Sequence, residues 1–336
     1  MRGNIIDYVK DYGKYDFKEM PFNEVDALVL AKFVYLKLEK IIQPGHCRKY
    51  AMSVQELCEH PDLDVLFEQD DNEELDRALF REMSASKRFG TMKCSNVIAD
   101  TSLQEETQFM VVTCILPNGK RKVVFRGTDG SLIGWKENFN MAFECPVSGQ
   151  KRAQEYLKRA MFWGLYRVDI IGHSKGGNLA VYAAMKANKF MQKRIVHIYN
   201  LDGPGFRSEV FAESNYDRIV HKIKKYIPRV CMVGILLDTR SSYRVVDSDG
   251  SPITQHDLYS WPVNKANLVC TEDEKRIHRV FSERFIDKLL SMPKEELEAT
   301  VNKTYQMICS GKRVLEETSQ FFNGAFEDLQ AFFAKR

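Results

Sequence analysis

The chain has 336 residues, 44% hydrophobic, 28% charged and 11% aromatic, which is enough apolar material for a full core and rules out a disordered chain. Its 49 lysines and arginines against 46 aspartates and glutamates leave a formal charge of +3. That excess is too small for a surface that tracks nucleic-acid phosphates, so no nucleic-acid partner is expected.

Near the N-terminus, Asp7, Lys10 and Asp11 interrupt the apolar stretch that a secretory signal requires. Asn23 or Asp26 then caps a helix with apolar positions at Leu28, Leu30, Phe33, Leu36 and Leu38. Residues 54–83 read as further helices, with the acidic patch 68–76 as a solvated helix start. After Lys87 the texture changes. Residues 108–116 and 121–125 are β-branched and aromatic runs joined by Pro117-Asn118-Gly119-Lys120, and Asn-Gly between such runs signals an antiparallel hairpin.

Beyond the hairpin, strands and helices alternate: a helix over 150–163, a strand over 167–172, a helix over 177–187 and a strand over 194–201. That order predicts a mostly parallel central sheet with flanking helices. Further strands are expected at 230–237 and 242–246. From Thr271-Glu272-Asp273-Glu274, which has capping-box spacing, two or three helices run to about residue 334. The longest apolar runs, 27–36 and 230–237, fall short of the roughly 20 residues of a membrane span. The eight cysteines include no CxxC pair, so they read as free thiols of a reducing cytoplasm. His46, Cys47, Cys58 and His60 lack the second close pair of a structural zinc site, and neither metal nor cofactor is expected.

The chemistry centres on Gly172-His173-Ser174-Lys175-Gly176-Gly177. G-x-S-x-G is common by chance, but here a β-rich run ends at Gly172 and a helix rich in small residues follows, the setting of a nucleophile elbow. The glycines let backbone approach backbone, and Ser174 is held at the tip. The Lys175 amide can then face a developing oxyanion. Thr128, in the loop after the strand that ends near Phe125, offers an amide and a hydroxyl as the second donor.

A serine needs a base and a carboxylate to orient it. His256, in a polar loop after the last candidate strand, is the expected base. His173 adjoins the serine and cannot turn back onto it, and His197 looks like a core residue. Asp202, at a strand end before Gly203-Pro204-Gly205, and Asp238 are the competing acids.

These stretches resemble the α/β-hydrolase superfamily, in particular the class 3 lipases and, more closely, a bacterial lipase-like family described only as a domain of unknown function. The segments 17–31, 125–140, 172–180, 200–206 and 256–261 carry the likeness. It implies Ser174 as nucleophile, His256 as base, Thr128 and the Lys175 amide as oxyanion donors, and an acyl ester or lipid as substrate, with room for transient membrane-surface contact. Two departures stand out. Tyr226-Ile227-Pro228-Arg229-Val230-Cys231 has no carboxylate where class 3 lipases carry their acid in a D-x-V-P-like segment, and Asn138 stands where relatives often place Asp. The reading is thus a serine ester hydrolase with a Ser174–His256–Asp202 triad. The competing reading is an inactive scaffold that engages a partner through its C-terminal helices. The lipase-like domain is expected over 1–268, with a helical extension over 269–336 packed on it.

Overall fold

The computed structural model describes residues 2–45, 50–68, 72–102, 104, 107–128, 137, 141, 144–162, 165–212, 214–229, 231, 233–238, 240–250 and 254–271. The expected C-terminal helices, His46, Cys47 and Asn138 lie outside these residues.

Two helices open the chain, α1 (Ile5–Tyr12) and α2 (Glu24–Phe33). Each starts on an asparagine, Asn4 or Asn23, that accepts from the first-turn amides while an aspartate three residues on reaches back to the cap amide. Asn23 is therefore the cap, and Asp26 is its reciprocal partner. Asp26 has a second role: Arg88 Nε donates to its Oδ1 at 2.7 Å and Tyr8 Oη to the same oxygen at 2.8 Å, all three fully or almost fully buried. This pair ties the N-terminal helices to the segment that enters the sheet.

The chain continues through β1 (Met52–Ser53), α3 (Val54–Cys58) and α4 (Glu73–Ala85) to β2 (Lys93–Ser102), β3 (Thr107–Ile115) and β4 (Arg121–Phe125). Next come α5 (Ser148–Phe162), β5 (Val168–His173), α6 (Lys175–Lys186), α7 (Lys189–Arg194) and β6 (Ile195–Leu201). The short α8 (Ser208–Ala212) precedes β7 (Ile223–Pro228) and β8 (Tyr243–Val246). A small hairpin, β9 (Val263–Asn264) with β10 (Asn267–Leu268), leads to β11 (Cys270–Thr271).

One nine-stranded sheet runs in the order β1-β2-β3-β4-β5-β6-β7-β8-β11. It is mixed. Strands β4 to β8 are parallel, whereas β1 to β4 and the β8–β11 edge pair antiparallel. Side chains of a strand alternate between faces, and each face has its own core. Val112, Val124, Ile171 and Tyr199 meet the N-terminal helices on one side. On the other, Val111, Val123, Ile170 and Ile198 meet α5 and α6. Helices flank the sheet on both sides, as in an α/β-hydrolase-like fold.

Two strands differ from the sequence reading. β2 pairs with the expected hairpin as an extra antiparallel strand; its Asp, Ser, Asn and Lys content hides it. The apolar run over 230–237 is not a strand: its described residues form turns, and a single bridge joins Phe206 to Asp238. The parallel strand lies just before it, in β7. Gly234 lets this segment lie close to Asp202, because a Cβ there would meet Asp202 Oδ1 at 2.2 Å. Its buried members Cys231 and Ile235 lie outside the sheet.

Candidate active site

β5 ends at His173 and α6 starts at Lys175, leaving Ser174 alone to turn the chain, with φ 56° and ψ −131°. A non-glycine residue seldom adopts this conformation, which costs about 1–3 kcal/mol unless its surroundings impose it. They do. The Ser174 amide donates to Leu201 O at 2.9 Å, and its carbonyl accepts from the Gly177 amide at 2.9 Å. A Cβ on Gly172 would lie 2.0 Å from Gly176 O, and one on Gly176 2.3 Å from Phe125 O. Only glycine permits this close approach. Ala180, Ala183 and Ala184 are buried where α6 lies on the sheet, and their small side chains let the helix N-terminus sit directly beneath Ser174.

Asp202 closes β6, the neighbouring parallel strand, also at positive φ (52°). Its amide donates to Tyr226 O at 2.8 Å, and the Gly203 amide donates to Asn200 Oδ1 at 2.8 Å. Asn178 of α6 locks this loop to the serine turn: its Nδ2 donates to Gly205 O at 2.8 Å, and Gln150 Nε2 donates to its Oδ1 at 2.8 Å. From the loop after β8, His256 brings Nδ1 to 2.6 Å from Asp202 Oδ2. A carboxylate can only accept, so Nδ1 carries a proton and donates it to Asp202, which leaves Nε2 as the ring nitrogen facing away from the carboxylate. Asp238, the other acid weighed from the sequence, is half exposed and 3.4 Å from Arg240 Nε. The structure thus brings Asp202 to the imidazole and turns Asp238 toward solvent.

The His256 loop is fastened at several points. Tyr259 Oη donates to buried Asp76, which Lys32 also approaches at 3.2 Å. Trp261, fully buried, donates Nε1–H to Gln255 O at 2.9 Å, and Asn72 Nδ2 donates to Asp257 Oδ2 at 3.0 Å. His173 Nε2 lies 2.9 Å from His256 O. A carbonyl only accepts, so His173 is protonated at Nε2, and Tyr35 Oη donates to its Nδ1 at 2.8 Å. Burial and the neighbouring His256 hold the His173 pKa well below the usual imidazole range, consistent with this neutral tautomer. His173 therefore braces the main chain of His256.

Gly127 brings the loop after β4 against the serine: a Cβ there would lie 3.1 Å from Ser174 Cβ and 2.7 Å from His173 O. Thr128 follows it, half-buried. Lys175 contributes more than an amide. Its ammonium is buried, 2.8 Å from Glu137 Oε2 and 2.9 Å from Gln108 Oε1. Glu137 also accepts from Thr107 Oγ1 at 2.7 Å and from the Gly149 amide at 2.7 Å. Removing one partner of a buried pair strands the other charge, at a cost of about 3–5 kcal/mol. Glu137→Ala is expected to lower unfolding stability by that amount in urea titration, with Glu137→Gln milder because a carboxamide still accepts from Thr107 and Gly149.

The Mbeg1-like family profile matches residues 83–306, more than half of the chain. The chain belongs to the Mbeg1-like family. No curated protein matches it. Among solved structures it is similar to a crystal structure of M37 lipase, with 13% identity and a TM-score of 0.35, covering 64% of this chain and 70% of that one. No helix among the described residues is long and apolar enough to cross a membrane.

Two residues of this Mbeg1-like chain escape sequence reasoning. Cys231, buried after β7, has Sγ 3.5 Å from His256 Nδ1. Burial, then Asp202, pushes its thiol pKa well up. Lys225, inside β7, is fully buried, and its Nζ meets no hydrogen-bond partner among the described residues. Burial draws its pKa down to about 7 against the opposing pull of Asp202 and Asp238. In the unfolded chain a lysine titrates near 10.4. Between about pH 7 and 10.4 the unfolded state therefore binds the extra proton, and stability climbs with pH. Below pH 7 both states are protonated and the full burial cost is present. Relative to Lys225→Met, the wild type is expected to gain on the order of 4 kcal/mol from pH 7 to 10 in denaturant titrations. Parallel curves for the two proteins would contradict this.

Proposed function

We propose that this protein is a serine hydrolase that cleaves carboxylic esters through an acyl-enzyme. The observation that carries the proposal is the 2.6 Å contact between His256 Nδ1 and Asp202 Oδ2, made at the same sheet edge where Ser174 turns from β5 into α6. In this reading Ser174 Oγ attacks the ester carbonyl while His256 Nε2 takes its proton. Asp202 keeps the imidazole in the required tautomer and stabilises the imidazolium that forms. The Lys175 amide and Thr128 hold the negative oxygen, each donor contributing about 2.7–4 kcal/mol in the transition state. His256 then returns the proton to the leaving alcohol, and water repeats the sequence to free the acid.

Asp202 takes the role that class 3 lipases assign to the segment equivalent to 226–231, from one strand earlier. The sequence resemblance to class 3 lipases favours lipid-like esters, and Cys58, Cys94, Cys114, Cys145, Cys231 and Cys270, which form no disulfide, favour a cytoplasmic home. The test is pre-steady-state mixing with a p-nitrophenyl ester. A burst of p-nitrophenol matching the enzyme concentration supports the acyl-enzyme. Release no faster than in buffer contradicts it and leaves the scaffold reading.

A further inference from the structure

We propose that Asp202, Cys231 and His256 form a zinc site that switches the imidazole off as a base; the regulatory half of this statement rests on the hydrolase reading above. The three side chains come from the chain segments after β6, β7 and β8, and they offer one oxygen, one sulfur and one nitrogen within 4.8 Å of one another. Ester hydrolysis accounts for the carboxylate and the imidazole. It gives no role to a thiol 3.5 Å from the same ring nitrogen.

The spacing suits zinc. Bonds of about 2.0–2.1 Å to nitrogen, 2.0–2.2 Å to oxygen and 2.3 Å to sulfur, set tetrahedrally, place the donors roughly 3.3–3.6 Å apart. Cys231 and His256 already stand at that separation, and the 2.6 Å His256–Asp202 contact has to open by only about 0.7 Å. Thiolate and imidazole select zinc over magnesium or calcium. Asp202 is fully buried, and its Oδ1 has no hydrogen-bond partner among the described residues, so the carboxylate holds unused acceptor capacity for a cation. Charge also balances: Zn²⁺ with one thiolate and one carboxylate is neutral, as a buried site requires.

Among the described residues, two other titratable groups lie near the cluster. The His173 ring, 4.5 Å from that of His256, is held neutral by burial and by its neighbour. Lys225, fully buried in β7 with no hydrogen-bond partner for its Nζ among the described residues, is the other. His256, a quarter exposed, gives the entry side. On binding, Zn–Nδ1, Zn–Oδ2 and Zn–Sγ bonds form. The Cys231 proton passes to water, and the His256 proton leaves Nδ1 and is carried on Nε2. No electron moves. The lone pair that would serve Ser174 is gone, and a water completes the four-coordinate metal.

The experiment uses the full chain stripped with a chelator and titrated with Zn²⁺ and, separately, Co²⁺. One equivalent of zinc is expected, with a thiolate-to-cobalt charge-transfer band in the cobalt form. Cys231→Ser should abolish the band and weaken zinc on the order of 100-fold, and Asp202→Asn should weaken it as well. Zinc should suppress ester turnover in step with occupancy, reversibly on adding chelator. Absence of stoichiometric binding, a cobalt spectrum without the thiolate band, or affinity indifferent to Cys231→Ser overturns the site. The hydrolase reading fails separately, by inactivity of the metal-free protein while zinc still binds.

Discussion

Replacing Ser174 with alanine is expected to lower kcat on an activated ester by roughly 10⁶, leaving the 10³–10⁴-fold advantage over water that oxyanion donors and binding alone supply. In the proposed mechanism the loss is large because serine, imidazole and carboxylate would act as a unit, so removing the atom that forms the covalent bond would idle the other two. Stability should not fall with activity. Ser174 occupies a backbone conformation, φ 56° and ψ −131°, that strains any residue with a Cβ, and alanine keeps that strain unchanged. Glycine relieves it, so Ser174→Gly is expected to be more stable than wild type by about 1 kcal/mol while equally inactive. Kinetics and thermal unfolding on the same three proteins check both statements. Retained turnover in Ser174→Ala would show that hydrolysis proceeds elsewhere.

The second large effect belongs to Asp202→Asn. The side chain keeps its shape in a fully buried position, so the fold should survive. The carboxamide, however, no longer compels the imidazole to carry its proton on Nδ1, and it cannot stabilise the imidazolium. A loss of about 10⁴ in kcat near neutral pH is expected. Asp238→Asn is the control. Its carboxylate is exposed beside Arg240, and an exposed pair of this kind contributes at most about 1 kcal/mol, so turnover should hold within a factor of a few. An inversion of these two results would transfer the role of acid to Asp238.

Much of the architecture was legible because its signals are local. Alternating apolar residues, Asn118-Gly119 between two strands, and the small residues after Gly177 each specify an element within a few residues. Asn23 and Asp26 were both visible as caps, and the structure uses them together. What stayed hidden depends on where the chain meets itself. Lys122 and Lys175 are buried against Asp169 and Glu137, and residue type does not report a partner brought from a distant segment. Glu137, which holds Lys175, has no motif of its own. The apolar segment over 230–237 looked like a strand since hydrophobicity without periodicity cannot separate a strand from a packed turn. That the imidazole of His256 meets Asp202 rather than Asp238 depends on how distant loops meet, which no spacing rule foresees.

The central claim is that Ser174 is an activated nucleophile, and covalent labelling tests it most directly. The metal-free protein treated with a fluorophosphonate probe should gain one adduct, mapped by peptide mass spectrometry to Ser174, lost in Ser174→Ala and strongly slowed in Asp202→Asn. Absence of an adduct on Ser174 in folded wild-type protein would contradict the account.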